Sequence, residues 1–330
     1  MASVTHERTC LSQSQPIIAD VPKELLQHDV SQLGASDRLL TLGGCAVYCT
    51  TANKLPHVLR EIGRLREIAF RAVGEGTGRA LDLDEFDRHY HHLFVWNEAS
   101  SEIVGAYRVA FTQELIADSG VTSLYTHRLF DFDASLFKLL GPCLEMGRSF
   151  VHPAWQGNTR ALRLLWAGIA VLLDRHPAIR HLFGPVSVSP QFSDVAKFLI
   201  MTALQLHHMD ADLKQLVRPR NAPKNLVFQA SQQSKQRLIE ISSGLADPSR
   251  LSKFLRRIEH GLKLPMLIKH YIELKGRFAG FSVDDAFNGT LDGLVFVRVE
   301  DISFKMRSRL TGTMSRQAAN SLLQATSAYV

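Results

Sequence analysis

Apolar and polar positions change period several times along the chain. In LPHVLREIGRLREIAFRAVG, Val58, Ile62, Leu65, Ala69 and Ala72 recur at helical spacing behind Pro56, which a first helical turn tolerates, and predict an amphipathic helix over 57–73. AVYCT (46–50) is rich in strand formers, and HLFVWN (92–97) and EIVGAYRVAF (102–111) read as two strands joined through Glu-Ala-Ser-Ser, a hairpin. A polar insertion with short apolar pieces fills 112–140. The strand CLEMGRSFV, a helix over 159–174, the strand HLFGPVSV (181–188) and a helix over 191–206 follow. Beyond the basic turn VRPRNAPK come a polar stretch, a helix around 249–260, a second helix in LPMLIKHYIELKG and a last strand, DGLVFVRV. Strands and helices alternating around an antiparallel hairpin predict a mixed sheet in an α/β (α+β) layer fold. Residues 1–35 are polar and read as a flexible arm, 36–300 as one elaborated domain and 301–330 as a polar tail.

Composition narrows the partners. The net charge is +6 and the excess is spread along the chain, so an anionic partner is favoured; with no helix-turn-helix, zinc-finger or RNP-type signature, nucleic acid is set aside. Cys10, Cys45, Cys49 and Cys143 form no disulfide framework, and the Cys45/Cys49 pair lacks a second ligand pair, so reduced thiols and no metal site are expected. MASVTHERTCLSQSQ has no apolar core of a secretory signal. The longest apolar run, LLWAGIAVLL (164–173), has ten residues, where a bilayer span needs ~20. A cytoplasmic protein with at most peripheral contact at the inner membrane is expected.

LEMGRSFVHPAWQGNTRALRLLW (144–166) carries the candidate chemistry. A strand runs into Gln156-Gly157-Asn158-Thr159, where Gly157 permits close backbone approach and Asn158 or Thr159 can cap the next helix. Free backbone N–H groups, the helix dipole, Arg160 and Arg163 together suit a phosphate, although Gly157 also fits a plain strand end with solvated arginines. Glu145 and Arg148 are three apart, so strict alternation puts them on opposite faces; a bulge near Gly147 would bring them onto one face and free a backbone N–H. His89, His91 and His92 lack a third metal ligand and fit a polar sheet edge. The glycines of GEGTG (74–78) follow a helix, which suits a flap over a bound ligand better than a dinucleotide loop.

Strand, bulge and phosphate turn together resemble the core of the GNAT acyltransferase superfamily, with Thr159-Arg160-Ala161 where its Q/R-x-x-G-x-G/A loop has a second glycine. EIGRLREIAFRAVGEGTG, DLDEFDRHYHHLFVWNEASSEIVGAYR, LFGPVSVSP and LVRPRNAP look like the GNAT half of bacterial hemolysin-like proteins, relatives of ornithine-lipid and glycine-lipid N-acyltransferases and, more remotely, of acyl-homoserine lactone synthases. The likeness covers about 39–300 and implies a mixed, mostly antiparallel central sheet flanked by helices, with a C-terminal extension. No H-x-x-x-x-D acyltransferase domain is visible, which fits an enzyme of the first, N-acylating step.

The resemblance implies a site of Arg66, Phe70, Asp84, Asp87 and Arg108 around the acceptor, with Glu145 as general base beside Arg148. It implies Gln156, Gly157, Asn158, Thr159, Arg160 and Arg163 around the phosphopantetheine arm of acyl carrier protein, or of CoA, with no tightly bound cofactor. The expected reaction moves a long acyl chain, 3-hydroxylated or plain, to an amino acid such as ornithine or glycine. Cys143 could serve a ping-pong route, but no histidine is spaced to activate it. Basic patches at Arg218, Arg220 and Lys224, and at Lys253, Arg256, Arg257 and Lys263, suit an acidic carrier or an anionic bilayer. A signal synthase using S-adenosylmethionine and a non-catalytic, hemolysin-like membrane-associated protein are the alternatives.

Overall fold

The computed structural model describes residues 14–157, 159–223, 226 and 231–302; Asn158, Lys224, Cys10 and nearly all of the expected tail lie outside the described residues. The strands are β1 (Arg38–Leu42), β2 (Cys45–Thr51), β3 (His91–Asn97), β4 (Glu102–Phe111), β5 (Phe130–Phe132), β6 (Cys143–Val151), β7 (His181–Val188), β8 (Val217–Pro219), β9 (Arg277–Asp284) and β10 (Thr290–Arg298). All but β5 and β8 join one eight-stranded sheet in the order β1-β2-β3-β4-β6-β7-β10-β9. Neighbours run antiparallel except β6 and β7, which pair in parallel only at Cys143↔His181, Leu144↔Leu182 and Glu145↔Phe183. Past Glu145 the two strands part, while β7 stays paired with β10 from His181 to Val188.

Ten helices surround the sheet: α1 (Lys23–Ser31), α2 (Pro56–Arg71), α3 (Thr112–Ser119), α4 (Leu136–Leu140), α5 (Thr159–Arg175), α6 (Asp194–His208), α7 (Ala211–Leu216), α8 (Gln232–Ser243), α9 (Pro248–Ile258) and α10 (Met266–Glu273), counted among the described residues. The periodicity of α2 seats Val58, Ile62 and Leu65 on one face of the sheet against Tyr48, Phe94 and Phe150. On the other face α5 seats Leu164, Leu165 and Trp166 against Val47, Leu93 and Tyr107. The sheet is therefore covered on both sides, and polar groups carried by its strands are desolvated.

Three elements depart from the sequence reading. Residues 14–35 are not a free arm: Leu26 is buried, and the Asp29 carboxylate accepts from the N–H groups of His57 (2.7 Å) and Val58 (2.9 Å), capping α2 from a distance. Leu55 at the start of α2 supplies no side-chain cap, so the partner comes from a remote, polar-looking segment. RFAGFSVD forms β9, and the extension completes the central sheet by a β9–β10 hairpin. The polar stretch after the basic turn carries α8, capped by the Ser231 side chain. Among the described residues, no helix is long and apolar enough to cross a membrane.

Candidate active site

The site begins with an irregularity of β6. Arg108 pairs with Gly147 and Ala106 with Phe150, so a two-residue step on β4 faces a three-residue step on β6, a bulge, and Arg148 adopts φ 49°. Glu145 and Arg148 consequently share a face: Glu145 accepts from the N–H of Thr126 (2.7 Å), and Arg148 donates to the hydroxyl of Tyr125 (3.0 Å). One residue past the last β6–β7 pair the strands still approach closely at Gly184, where a Cβ would stand 1.9 Å from the carbonyl oxygen of Met146.

Six charges interlock on the α2 side. Arg66 pairs with Asp87 (2.8 Å), Arg108 with Asp87 (3.3 Å) and with Asp84, and Arg148 with Asp82 and Asp84 (3.3 Å each). Arg108 also lies over the rings of Phe86, Tyr90 and Tyr125. Burial pushes the Asp87 carboxyl up, but Arg66 and Arg108 outweigh it and hold the group below the usual carboxylate range. Asp84 and Asp87 close a capping box around a 3-10 turn, which fixes both carboxylates before either meets an arginine. Three guanidiniums against Asp82, Asp84 and Asp87 leave this network formally neutral.

Beside it, where β6 and β7 separate, lies a cavity of about 370 Å³. Met146, Gly147, Arg148 and Ser149 form one wall and Pro185, Val186 and Ser187 the other. Toward the ionic network the lining is polar, with Glu75, Tyr125, Asp284 and Asp292; toward the opposite face it is apolar, with Phe192, Leu262, Leu267 and Tyr271 packed in the α5-side core. Burial pushes Asp292 up to about 7 and Glu75 up to about 8, with the neighbouring carboxylates Asp284 and Asp292 adding to the respective shifts; burial also raises Asp284. A guanidinium beside carboxylates that titrate near neutrality can orient a zwitterion and accept a proton, while the apolar part suits a hydrocarbon chain.

Residues 65–167 match the acetyltransferase (GNAT) domain. A glycine N(alpha)-acyltransferase of Bacteroides thetaiotaomicron is 32% identical over 312 residues, 89% of each chain. The chain belongs to the GNAT acyltransferases. An L-ornithine N(alpha)-acyltransferase of Rhodobacter capsulatus is 29% identical over 267 residues, covering 77% of this chain and 90% of its own. A solved structure of a CoA-dependent acyl-homoserine lactone synthase, MesI, aligns over 81% of this chain and 95% of its own with 12% identity and a TM-score of 0.34.

In this GNAT acyltransferase the expected site residues divide. Phe70 and Arg148 line the cavity. Arg66, Asp84, Asp87 and Arg108 do not; they form the network that holds Arg148. Glu145 is also withheld from the cavity: it is 1% exposed, takes the Tyr90 hydroxyl on one oxygen and Thr126 on the other, and is pushed up by burial. Gln156, Gly157, Thr159, Arg160 and Arg163 lie outside the cavity lining as well. Gly157 has φ 82°, Gln156 donates to Val151 O (3.1 Å), Arg160 donates to Gly43 O, and Arg163 is exposed.

Other expectations change for physical reasons. β3 is an interior strand, so the histidines do not mark a sheet edge; His92 is buried against the Asp87 carbonyl (2.9 Å), and burial pulls it down to about 4. The GEGTG loop is tied down, since buried Glu67 accepts from Thr77 N, Thr77 Oγ1 and Gly78 N, and Asn288 donates to Gly74 O and Gly76 O. The loop thereby delivers Glu75 to the cavity. Cys143 is buried with its thiol pushed up to about 12, which removes the thiolate a ping-pong route requires. Asp82, Glu75, Asp284 and Asp292 were missed; an aspartate interrupting the apolar run TLDGLVFV was the available signal.

Proposed function

We propose that the chain transfers a long acyl group, 3-hydroxylated or plain, from the phosphopantetheine thiol of acyl carrier protein, with CoA as the alternative donor, to the α-amine of an amino acid such as glycine or ornithine. The reaction is the first step of aminolipid synthesis. The observation that carries this reading is the two-natured cavity at the parting of β6 and β7, with Arg148 and three carboxylates at one end and an apolar lining at the other. Arg148 orients the acceptor carboxylate, and the ionic network with Glu145 behind it fixes the guanidinium. The likeness to glycine and ornithine N(alpha)-acyltransferases supports the acceptor class.

Gly157 and the start of α5, a 17-residue helix with no acidic residue in its first turn, receive the phosphate of the donor together with Gln156, Thr159, Arg160 and Arg163. Asn158 belongs to the same turn in sequence. Arg250, Lys253, Arg256 and Arg257 on exposed positions of α9, with Lys263 at the cavity lining, receive the acidic carrier on the cytoplasmic side of the inner membrane. The patch at Arg218 is weaker, because Arg220 is paired with Asp131 at 2.7 Å. Incubating the purified protein with palmitoyl-acyl carrier protein or palmitoyl-CoA and a panel of amino acids, followed by mass spectrometry, tests the proposal. N-palmitoyl amino acid is the expected product; its absence with every donor and acceptor overturns the reading.

A further inference from the structure

An amino-acid acceptor arrives as an ammonium and must lose a proton before its nitrogen can attack a thioester. Glu145 is sealed by Tyr90 and Thr126 and does not reach the cavity. Asp292 is different. It lies on β10 directly opposite Ser187 of β7, is 4% exposed, lines the cavity, and receives the Ser187 hydroxyl at 2.7 Å on one oxygen. That bond engages Oδ1 alone, and Oδ2 is the other oxygen of a side chain that lines the cavity.

We propose that Asp292 is the general base that deprotonates the acceptor ammonium, and that Glu75 and Asp284 complete the subsite that holds this ammonium; the inference rests on the N-acyl transfer reading above. The surroundings of Asp292 come from five elements: Ser187 on β7, Asp284 on β9, Arg148 on the β6 bulge, Glu75 on the loop after α2, and Tyr125 on the turn ahead of β5. Burial and Asp284 raise its proton affinity, whereas Ser187 and Arg148 lower it, and the balance lies near neutrality, where a base serves best. Glu75, Asp284 and Asp292 reach the cavity from three separate elements, and an ammonium placed there can donate to their oxygens.

The same cavity extends to the α5 side of the sheet. Tyr107, 1% exposed, lines the opposite face, with Ser149, Trp166 and Tyr271 around its hydroxyl. In the reaction, the Asp292 carboxylate takes one ammonium proton and the freed nitrogen pair forms the C–N bond to the thioester carbonyl. The tetrahedral adduct then expels sulfur as the C–S bond breaks, the remaining surplus proton on nitrogen goes to the thiolate, and Asp292 releases its proton to water.

The test compares wild type with Asp292→Asn, using palmitoyl-CoA or palmitoyl-acyl carrier protein against glycine, ornithine and hydroxylamine, which is neutral at pH 7. With the amino acid, kcat/KM is expected to fall by about 10²–10⁴, and with hydroxylamine by less than roughly tenfold. Equal losses with both nucleophiles, or retention within about threefold with the amino acid, overturn the inference. If Asp292→Asn does not fold, Ser187→Ala decides: removing the donor raises Asp292 further, so the acidic limb of the kcat/KM profile must move to higher pH, and an unmoved limb rejects the assignment. A wild type inert toward every amine overturns the N-acyl transfer reading and this inference with it; an active wild type with an active Asp292→Asn overturns the inference alone.

Discussion

The Tyr90 hydroxyl donates to the Glu145 carboxylate while accepting from the N–H of Tyr125 at 2.7 Å, so Glu145 supports the turn that carries Tyr125. Tyr125 in turn meets Arg148 (3.0 Å) and Asp284 (3.3 Å), and an error in that turn reaches both ends of the polar lining. Glu145→Gln retains one carbonyl oxygen for Thr126 but sets an amide against the Tyr90 hydroxyl, at a cost of about 1–3 kcal/mol. The KM for the amino acid is expected to rise while the acidic limb of the kcat/KM profile stays in place. Disappearance of that limb in Glu145→Gln would restore Glu145 as the base.

Asp87 is the hub of the ionic network, since it meets both Arg66 and Arg108. Replacing it by Asn leaves Arg66, which is fully buried, without its ion pair, and a loss of about 3–5 kcal/mol in unfolding free energy is expected. The pH dependence has a definite sign. Because the folded protein holds Asp87 below its unfolded pKa of about 4, its contribution is present above that pH and lost as pH falls. Urea unfolding between pH 3 and 7 should show an acid-sensitive component in wild type that Asp87→Asn lacks.

Much of the scaffold was legible because helical and strand periods report burial: α2, the β3–β4 hairpin, β6, α5 and β7 stand within a few residues of their predicted places. The bulge was legible too, since only an extra residue could bring Glu145 and Arg148 to one face. What periodicity could not supply was the partner of a polar residue. Glu145 has the residue type of a base, yet its role depends on Tyr90 and Thr126, 55 and 19 positions away. Asp292 and Asp284 were hidden for the converse reason: in sequence they interrupt an extension, and only the β9–β10 hairpin brings them beside β7 and the cavity. The helix α1 escaped because a mostly polar segment carries it, with Leu26 buried beside α2 and the Asp29 carboxylate capping α2 at His57 and Val58.

If Asp292 is kept for chemistry, it should weaken the fold. Its folded-state pKa, near 7, lies above the unfolded value of about 4, so between these pH values the folded protein retains a proton that the unfolded chain has released. Stability from this group is therefore greatest below about pH 4 and declines as pH rises through 7, the opposite sign to Asp87. Asp292→Asn removes the buried charge and should be more stable than wild type at pH 8 by about 2–4 kcal/mol, with little difference at pH 4. Equal unfolding free energies at pH 8 would remove the premise that this carboxylate is desolvated.

The parting of β6 from β7 sets the width of the cavity, and two glycines at that point should respond in opposite ways. At Gly184 an added methyl meets backbone, 1.9 Å from the Met146 carbonyl oxygen and 3.0 Å from its carbon, so neither strand can yield without breaking the parallel pairing at Glu145 and Phe183. Gly184→Ala is expected to cost on the order of 3 kcal/mol, with loss of transfer activity as β7 moves. At Gly147 a Cβ meets nothing within 4 Å, and its φ is not positive, so Gly147→Ala should change stability by less than about 1 kcal/mol. Thermal melts of the two variants distinguish close strand approach from a general demand for flexibility: if the bulge, not the contact, needs glycine, Gly147→Ala will be the damaging change and Gly184→Ala the mild one.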